Sequence, residues 1–391
     1  MSLAAAAVVA SMPVLGSVHL DADAQGRGLL TWSGYRGNRY VTQVMDVTTG
    51  RRQQLWSSRS VSIMDLADFD VAASGAAVAC FRDRASENAQ TWRVLIRRRS
   101  PDGVWSGRRL VAAPKAWVDG LRCGVGDAGQ VALTWTHSGG RRQPAMAAYV
   151  AADGSMEAPT RLAAEVIDEP EIAVGPDGSA TVAFTTGRDD RVLHVSEHPA
   201  AGAWTTRAIA PAFGPELAMD GTGRAVLAWD DPGEVSQALS FAAGPSFAPA
   251  PFVNERGTYL RALAAGPRGD VLAAWATDSY PRAGALRVAV SRPGAPFSAP
   301  TLIGHFAAFP LLATLNTDGG GAVAAVSGSE RRPRPYVRVL RPDGTWGARI
   351  KVQHEPAGLA PAGPGRFTLA TAQRDRYGSY RVLRVRVLPK A

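Results

Sequence analysis

Eight times along the chain a glycine is followed six residues later by a position that is usually aromatic, with apolar and mostly small residues between them. The pairs are Gly26/Trp32, Gly75/Phe81, Gly129/Trp135, Gly178/Phe184, Gly223/Trp229 and Gly269/Trp275, then two faded copies, Gly320/Val326 and Gly365/Thr371. Successive glycines lie 45 to 54 residues apart. A regular period of that size belongs to propellers and solenoids, in which one unit buries its apolar face only by stacking on the next. It overrides the two or three domains that 391 residues would otherwise suggest.

The fifth copy shows the unit most plainly. Pro215-Glu216-Leu217-Ala218-Met219 reads as a short strand, a, and Asp220-Gly221-Thr222-Gly223 as a tight turn whose glycines accept positive φ. Arg224-Ala225-Val226-Leu227-Ala228-Trp229 is a nearly unbroken apolar strand, b, of the kind buried on both faces. A polar loop leads to strand c, near Val235 to Phe241, and a Gly-Pro turn to strand d, Pro249 to Val253. In other copies strand c alternates, as in Tyr336-Val337-Arg338-Val339-Leu340, so one of its faces is wet. Four antiparallel strands that pass from buried to exposed describe a propeller blade. A helical reading fails, because no segment has a period of 3.6 and each interior glycine would cost a helix about 1 kcal/mol.

The eighth copy ends after its third strand, at Leu388-Pro389-Lys390-Ala391. Its fourth strand is expected from the other end of the chain, where Ser11-Met12-Pro13-Val14-Leu15 matches the d strand Ser298-Ala299-Pro300-Thr301-Leu302. Uniting both termini in one blade removes exposed sheet edges. The expectation is therefore a single all-β domain over residues 1–391, an eight-bladed propeller of four-stranded antiparallel blades, with a seven-bladed ring as the alternative. Blades one to seven occupy 17–63, 64–115, 116–167, 168–212, 213–257, 258–307 and 308–355, and the eighth joins 356–391 to the closing strand, 1–16.

Charge and motifs remove several functional classes. The formal charge is +9, yet the excess is arginine, with lysine only at Lys115, Lys351 and Lys390. No run of five or more basic residues occurs and acids are interspersed, which argues against a nucleic-acid partner; the wealth of Ala, Gly, Arg and Pro fits a GC-rich coding bias. No HExxH, CxxC, P-loop, GxSxG or EF-hand run is present, so no metal, cofactor or nucleophile is indicated. Cys80 lies in strand b of copy two and Cys123 in strand a of copy three, placed to face each other between blades as a disulfide or as two buried thiols. The apolar opening, Met1 to Ala10, lacks a basic start and is too short to span a bilayer; it reads as an export-signal remnant or a strand. A monomer without a membrane span, secreted or at the cell surface, is expected.

Strand direction puts the a-b and c-d turns on one side and the b-c and d-a loops on the other. The first side is tight and glycine-rich. The second carries charge in every b-c loop, and loops on a rigid scaffold are where binding residues concentrate. Candidate ligand-binding residues there are Arg36, Arg39, Asp189, Asp190, Asp230, Asp231, Glu234, Tyr280, Arg331 and Arg374. Copies four and five are acidic, joined by Asp168, Glu169 and Glu171, whereas copies seven, eight and one are mainly arginine. An acidic sector of this kind suits a cationic or polyhydroxylated ligand; carbohydrate and protein are the classes considered.

The c-d turns add a second repeated feature, a glycine turn leading to an aromatic: Asp102-Gly103-Val104-Trp105, Gly202-Ala203-Trp204, Gly294-Ala295-Pro296-Phe297 and Asp343-Gly344-Thr345-Trp346. In position this resembles the Asp-box of bacterial sialidase-like (BNR) propellers, although here Asp and Gly are adjacent. The resemblance covers the chain as a blade pattern and implies the propeller fold. A sialidase-like glycoside hydrolase or lyase would also need an arginine triad, a Tyr/Glu pair and an acid. Phe81-Arg82-Asp83-Arg84 matches only the first half of the F/Y-R-I-P motif, and no spacing selects carboxylates or tyrosines such as Asp230 and Tyr280 for a catalytic pair. The reading is a non-catalytic binding propeller using the charged-loop face, with the hydrolase or lyase as alternative.

Overall fold

Every apolar run between turns becomes an antiparallel strand in the computed structural model of the chain. It describes residues 7–10, 14–36, 38–58, 64–84, 89, 91–138, 143–188, 190–230, 238–243, 247, 250–254, 258–277, 284–306, 308–329, 332–374 and 380–388. The first strands of successive units are Val14–Ala22, Met64–Val71, Trp117–Val125, Glu171–Val174, Phe213–Met219, Thr258–Ala265, Ala308–Leu315 and Glu355–Pro361. Their b partners are Gly28–Arg36, Ala77–Arg84, Val131–Ser138, Ala180–Thr186, Ala225–Asp230, Val271–Thr277, Gly321–Ser329 and Phe367–Arg374. The c strands are Arg39–Asp46, Trp92–Arg99, Ala145–Val150, Val192–His198, Ala238–Ala243, Gly284–Ser291, Arg332–Leu340 and Tyr380–Leu388. Outermost come Arg52–Ser58, Arg109–Ala112, Thr160–Ala163, Thr205–Pro211, Ala250–Asn254, Thr301–Phe306 and Ile350–Lys351.

Units two to seven are separate four-stranded sheets with strands in the order a-b-c-d. Units eight and one share an eight-stranded sheet through one pair, Val14 with Tyr380. Ala7–Ala10 lies on the outer side of strand c of unit eight, with Ala7 opposite Val385, Val8 opposite Arg384 and Ala10 opposite Leu383. This differs from the segment expected from sequence. Val14 and Leu15 belong to strand a of unit one, where Val14 faces Gly34, so the pairing falls to the alanine-rich stretch before them. Each first strand lies beside the first strand of the next unit, and that of unit eight lies beside that of unit one.

Burial follows strand position. Strand b of unit five is buried throughout and strand d of unit three is half-buried or exposed. Strand c of unit seven does not alternate as expected: it is exposed from Arg332 to Arg334 and then buried from Tyr336 to Leu340, with only Arg338 half-buried, because both of its faces are covered there. The aromatic of the repeat fills the space between neighbouring sheets: Trp32, Trp135, Trp229 and Trp275 are all fully buried. An indole removes about 150 to 250 Å² from water, which at about 25 cal/mol per Å² is roughly 4 to 6 kcal/mol before entropy is counted. In the faded copies the aromatic volume moves to Tyr336 and Phe367, both buried. The c-d aromatics sit in apolar clusters shared with the preceding unit, as Trp105 does with units one and two and Trp346 with units six and seven.

The seventh copy is displaced by one residue from its sequence reading. Positive φ falls on Gly319 (80°), so the glycine-plus-six position is Ala325 rather than Val326. Three successive glycines, Gly319 to Gly321, hid the register. The tight-turn face is knitted together: the Ala24 amide donates to Ala73 O, the Ser74 amide to Asp127 Oδ1, the Asp127 amide to Pro176 O and the Gly221 amide to Gly266 O. Gly26 is required here twice over, by its φ of 76° and because a Cβ would sit 2.2 Å from the Gly363 nitrogen. Arginines reinforce the same face, for Arg98 donates to Gly129 O and Ala151 O, Arg224 to Gly269 O and Arg292 to Gly319 O. Part of the positive charge is therefore engaged by backbone carbonyls.

Candidate functional site

Counting back seven residues from each turn glycine reaches one ladder position in all units, because it always pairs with the residue five beyond that glycine. The pairs are His19/Thr31, Asp68/Cys80, Arg122/Thr134, Glu171/Ala183, Glu216/Ala228, Ala262/Ala274, Leu312/Ala324 and Gly358/Ala370. Units one to five thus carry a titratable or charged residue at one level of the inner wall, and units six to eight do not. Two residues further along, the series is Asp21, Asp70, Gly124, Ala173, Ala218, Ala264, Thr314 and Ala360. Small side chains at this second level leave a cavity of about 480 Å³ along the axis, lined among others by Asp21, Asp70, Arg122, Glu171, Ala173 and Ala218 and reaching the a-b turns.

Neighbouring units are coupled through the charged row. His19 Nδ1 lies 3.5 Å from Asp68 Oδ1, and Arg122 Nη2 lies 3.6 Å from Glu171 Oε1 and 3.7 Å from Glu169 Oε2. The inner edge of an inner strand presents amides that its own sheet leaves unpaired. Carboxylates of the preceding unit accept them: Asp21 from Val71 at 2.9 Å, Asp68 from Cys123 at 3.0 Å and Asp70 from Val125 at 2.8 Å. Asp21 and Asp70 also hydrogen-bond to each other. Burial raises both above the ordinary carboxylate range, and the charge of Asp21 raises Asp70 further.

Glu171 and Glu216 occupy adjacent strands of the same row. Burial pushes Glu171 up to about 7, against the opposing pull of Arg122. Burial, reinforced by the charge of Glu171, pushes Glu216 up to about 8. Arg122 is held above its usual value: burial acts against it, and the carboxylates of Glu171, Asp68 and Glu169 outweigh that. The wall therefore offers hydrogen-bond acceptors, protonated carboxyls able to donate, and one guanidinium. Sequence reading placed Glu216 merely within a strand and did not single out Arg122; comparing residues seven before each glycine would have exposed the row.

The loop candidates fall elsewhere. Arg36 and Arg39 are exposed and face each other across the b-c turn of unit one, and Asp190 is exposed in unit four. Asp230 is buried and accepts the Leu260 amide at 2.9 Å, tying unit five to the first strand of unit six. Arg374 ends strand b of unit eight. Asp189, Asp231, Glu234, Tyr280 and Arg331 lie outside the described residues. Of the described candidates, Arg36, Arg39, Asp190 and Asp230 do not line the axial cavity, where Arg122 is the sole guanidinium among the described residues, so no arginine triad is assembled among them there. Arg82 is engaged by Asp119 Oδ1 at 2.9 Å and by Val118 O, and Asp83 pairs with Arg93. Among the described residues no group of three or more His, Cys, Asp or Glu is arranged to hold a metal ion. Cys80 and Cys123 are free, buried thiols in mutual hydrogen-bonding contact, and burial raises both. No helix is long and apolar enough to cross a membrane, among the described residues.

No protein-family model and no curated protein sequence matches the chain. Among solved structures it is similar to a prolyl endopeptidase, with 12% identity and a TM-score of 0.55 over 96% of this chain and 54% of that one. The chain thus spans about half the length of that enzyme. It is also similar to the β-propeller domain of the Trilobed protease from Pyrococcus furiosus, with 8% identity and a TM-score of 0.52 over 88% of this chain and 96% of that domain. At such identity the likeness concerns the fold alone: antiparallel four-stranded units in a β-propeller.

Proposed function

We propose that the chain is a non-catalytic binding propeller of eight blades, the eighth completed by Ala7–Ala10, and that it takes a small polyhydroxylated or cationic ligand in the axial cavity. The observation that carries this reading is the asymmetric inner wall: charge in units one to five, small residues one level below, and about 480 Å³ of space between. That volume suits a small ligand, since pockets of this kind measure roughly 300 to 1,000 Å³, and favours a sugar over a folded protein. Carboxyls that remain partly protonated near neutral pH can both donate to and accept from hydroxyl groups. The charged loops, with Arg36, Arg39 and Asp190, form the outer approach in this proposal.

A second reading, a sialidase-like hydrolase or lyase, draws support from Glu171 and Glu216. Two adjacent carboxyls at about 7 and about 8 have the protonation states that acid-base chemistry uses near neutral pH. Calorimetry with a panel of mono- and oligosaccharides and small amines, beside a fluorogenic glycoside panel, tests both. Binding without turnover that weakens about tenfold in Glu171→Gln and Arg122→Gln supports the binding reading. Turnover lost in Glu216→Gln supports the second, and silence throughout the two panels removes the axial site.

A further inference from the structure

Strand a of unit three begins at Trp117 on the charged-loop face, where its indole is 44% exposed. The ring is nevertheless held. It packs on buried Trp92 of unit two with centroids 4.4 Å apart, and its Nε1 donates to Asp119 Oδ1 at 2.8 Å. The Arg84 guanidinium lies 4.9 Å from the Trp92 ring centroid and 5.8 Å from that of Trp117. Asp119 also accepts from Arg82 at 2.9 Å and from the Ser138 hydroxyl. None of these residues lines the axial cavity.

A pinned aromatic that stays in water is pre-organised for a partner, because little side-chain entropy remains to be lost. Its surroundings narrow the chemistry. At the indole edge stand a carboxylate and a guanidinium whose side chains are 40% and 29% exposed. A pyranose matches this pattern: its C–H face lies on the indole, one hydroxyl donates to Asp119, and a neighbouring hydroxyl accepts from Arg82. A wholly apolar ligand would desolvate that ion pair without replacing its hydrogen bonds. A cation would meet the repulsion of Arg84, which already occupies the cation–π position. We propose that Trp117, Asp119 and Arg82 form a pyranose-stacking subsite at the junction of units two and three. It is independent of whatever the axial cavity holds.

Native electrophoresis of the full chain through gels containing hydroxyethylcellulose, xylan, galactomannan, glycol chitin or alginate provides the test. At least one polysaccharide is expected to retard the protein. Trp117→Ala should weaken the derived Kd by roughly tenfold, whereas Trp117→Tyr, which keeps a platform, should stay within about threefold of the parent. Asp119→Asn keeps an acceptor for the indole N–H, guards against a folding defect in the alanine variant, and should weaken retardation several-fold. Arg161→Gln, at an exposed position in the outermost strand of unit three, should leave it unchanged. No retardation by any polysaccharide, or retardation equal in the parent, Trp117→Ala and Asp119→Asn, would overturn the subsite. Retardation abolished by Arg122→Gln but not by Trp117→Ala would also overturn it, while upholding a sugar in the axial cavity.

Discussion

Removing a charged residue from the inner wall should stabilise this protein, and the effect should depend on pH. Burial, together with the charges of Glu171 and Asp230 and against the pull of Arg122 and Arg261, raises Glu216 from 4.5 to about 8. A carboxyl raised in the folded state contributes its full stability below the unfolded value and loses it as pH climbs through the folded one. Each tenfold change in proton affinity is about 1.4 kcal/mol, so the rise to about 8 corresponds to roughly 5 kcal/mol for a fully shielded group. Glu216 is only half-buried at the channel wall, and water reduces the expected difference to about 2 to 3 kcal/mol. Glu216→Gln cannot ionise. Urea denaturation should therefore give equal stability for parent and variant near pH 4.5, with the variant ahead by about 2 to 3 kcal/mol at pH 9. Glu171→Gln serves as the contrast, because it deprives Arg122 of a partner and should show less gain. Parallel pH profiles for the parent and Glu216→Gln, or a variant that is less stable at pH 9, would refute the reasoning.

Two further outcomes test the architecture. Deleting residues 1–16 should sharply lower the melting temperature, because it removes Ala7–Ala10 from the outer edge of unit eight and the start of strand a of unit one; an unchanged melting temperature would defeat the proposed closure. Thiol titration of the unfolded protein should give two reactive thiols with and without prior reductant, and fewer without it would show that Cys80 and Cys123 had been joined.

The strands were legible because glycine, small apolar residues and an aromatic recur at fixed spacing, and each has a steric reason to do so. The register of copy seven was not, since any of Gly319, Gly320 and Gly321 suits the turn by composition and only φ separates them. The pairing segment near the start of the chain was misplaced for a related reason: Val14 and Leu15 have β-formers' side chains, and nothing local says which of two neighbouring strands they join. Site residues were harder. A lone charge such as Glu216 in a five-residue strand reads as a solvated position, and its place on the inner wall emerges only when its ladder partner, Ala228, is aligned with those of the other units. Asp230 misled in the opposite direction, since a polar residue at a strand end looks like a loop group although its carboxylate serves the next unit's backbone. The facing of Cys80 and Cys123 followed from strand assignment alone.

The carboxylate-to-amide bridges from unit one to unit two and from unit two to unit three bear on how neighbouring units separate. In a repeat array, stability is a sum of unit terms and nearest-neighbour terms. Asp21, Asp68 and Asp70 enlarge the neighbour terms among units one to three, because separating those units would strand both an acid and an amide. From unit six onward the same two levels hold Ala262, Ala264, Leu312, Thr314, Gly358 and Ala360, none of which carries a carboxylate. Similar units need not be equal ones in hydrogen exchange: inner-strand amides of units two and three should be the slow ones, and transient opening should begin among units six to eight.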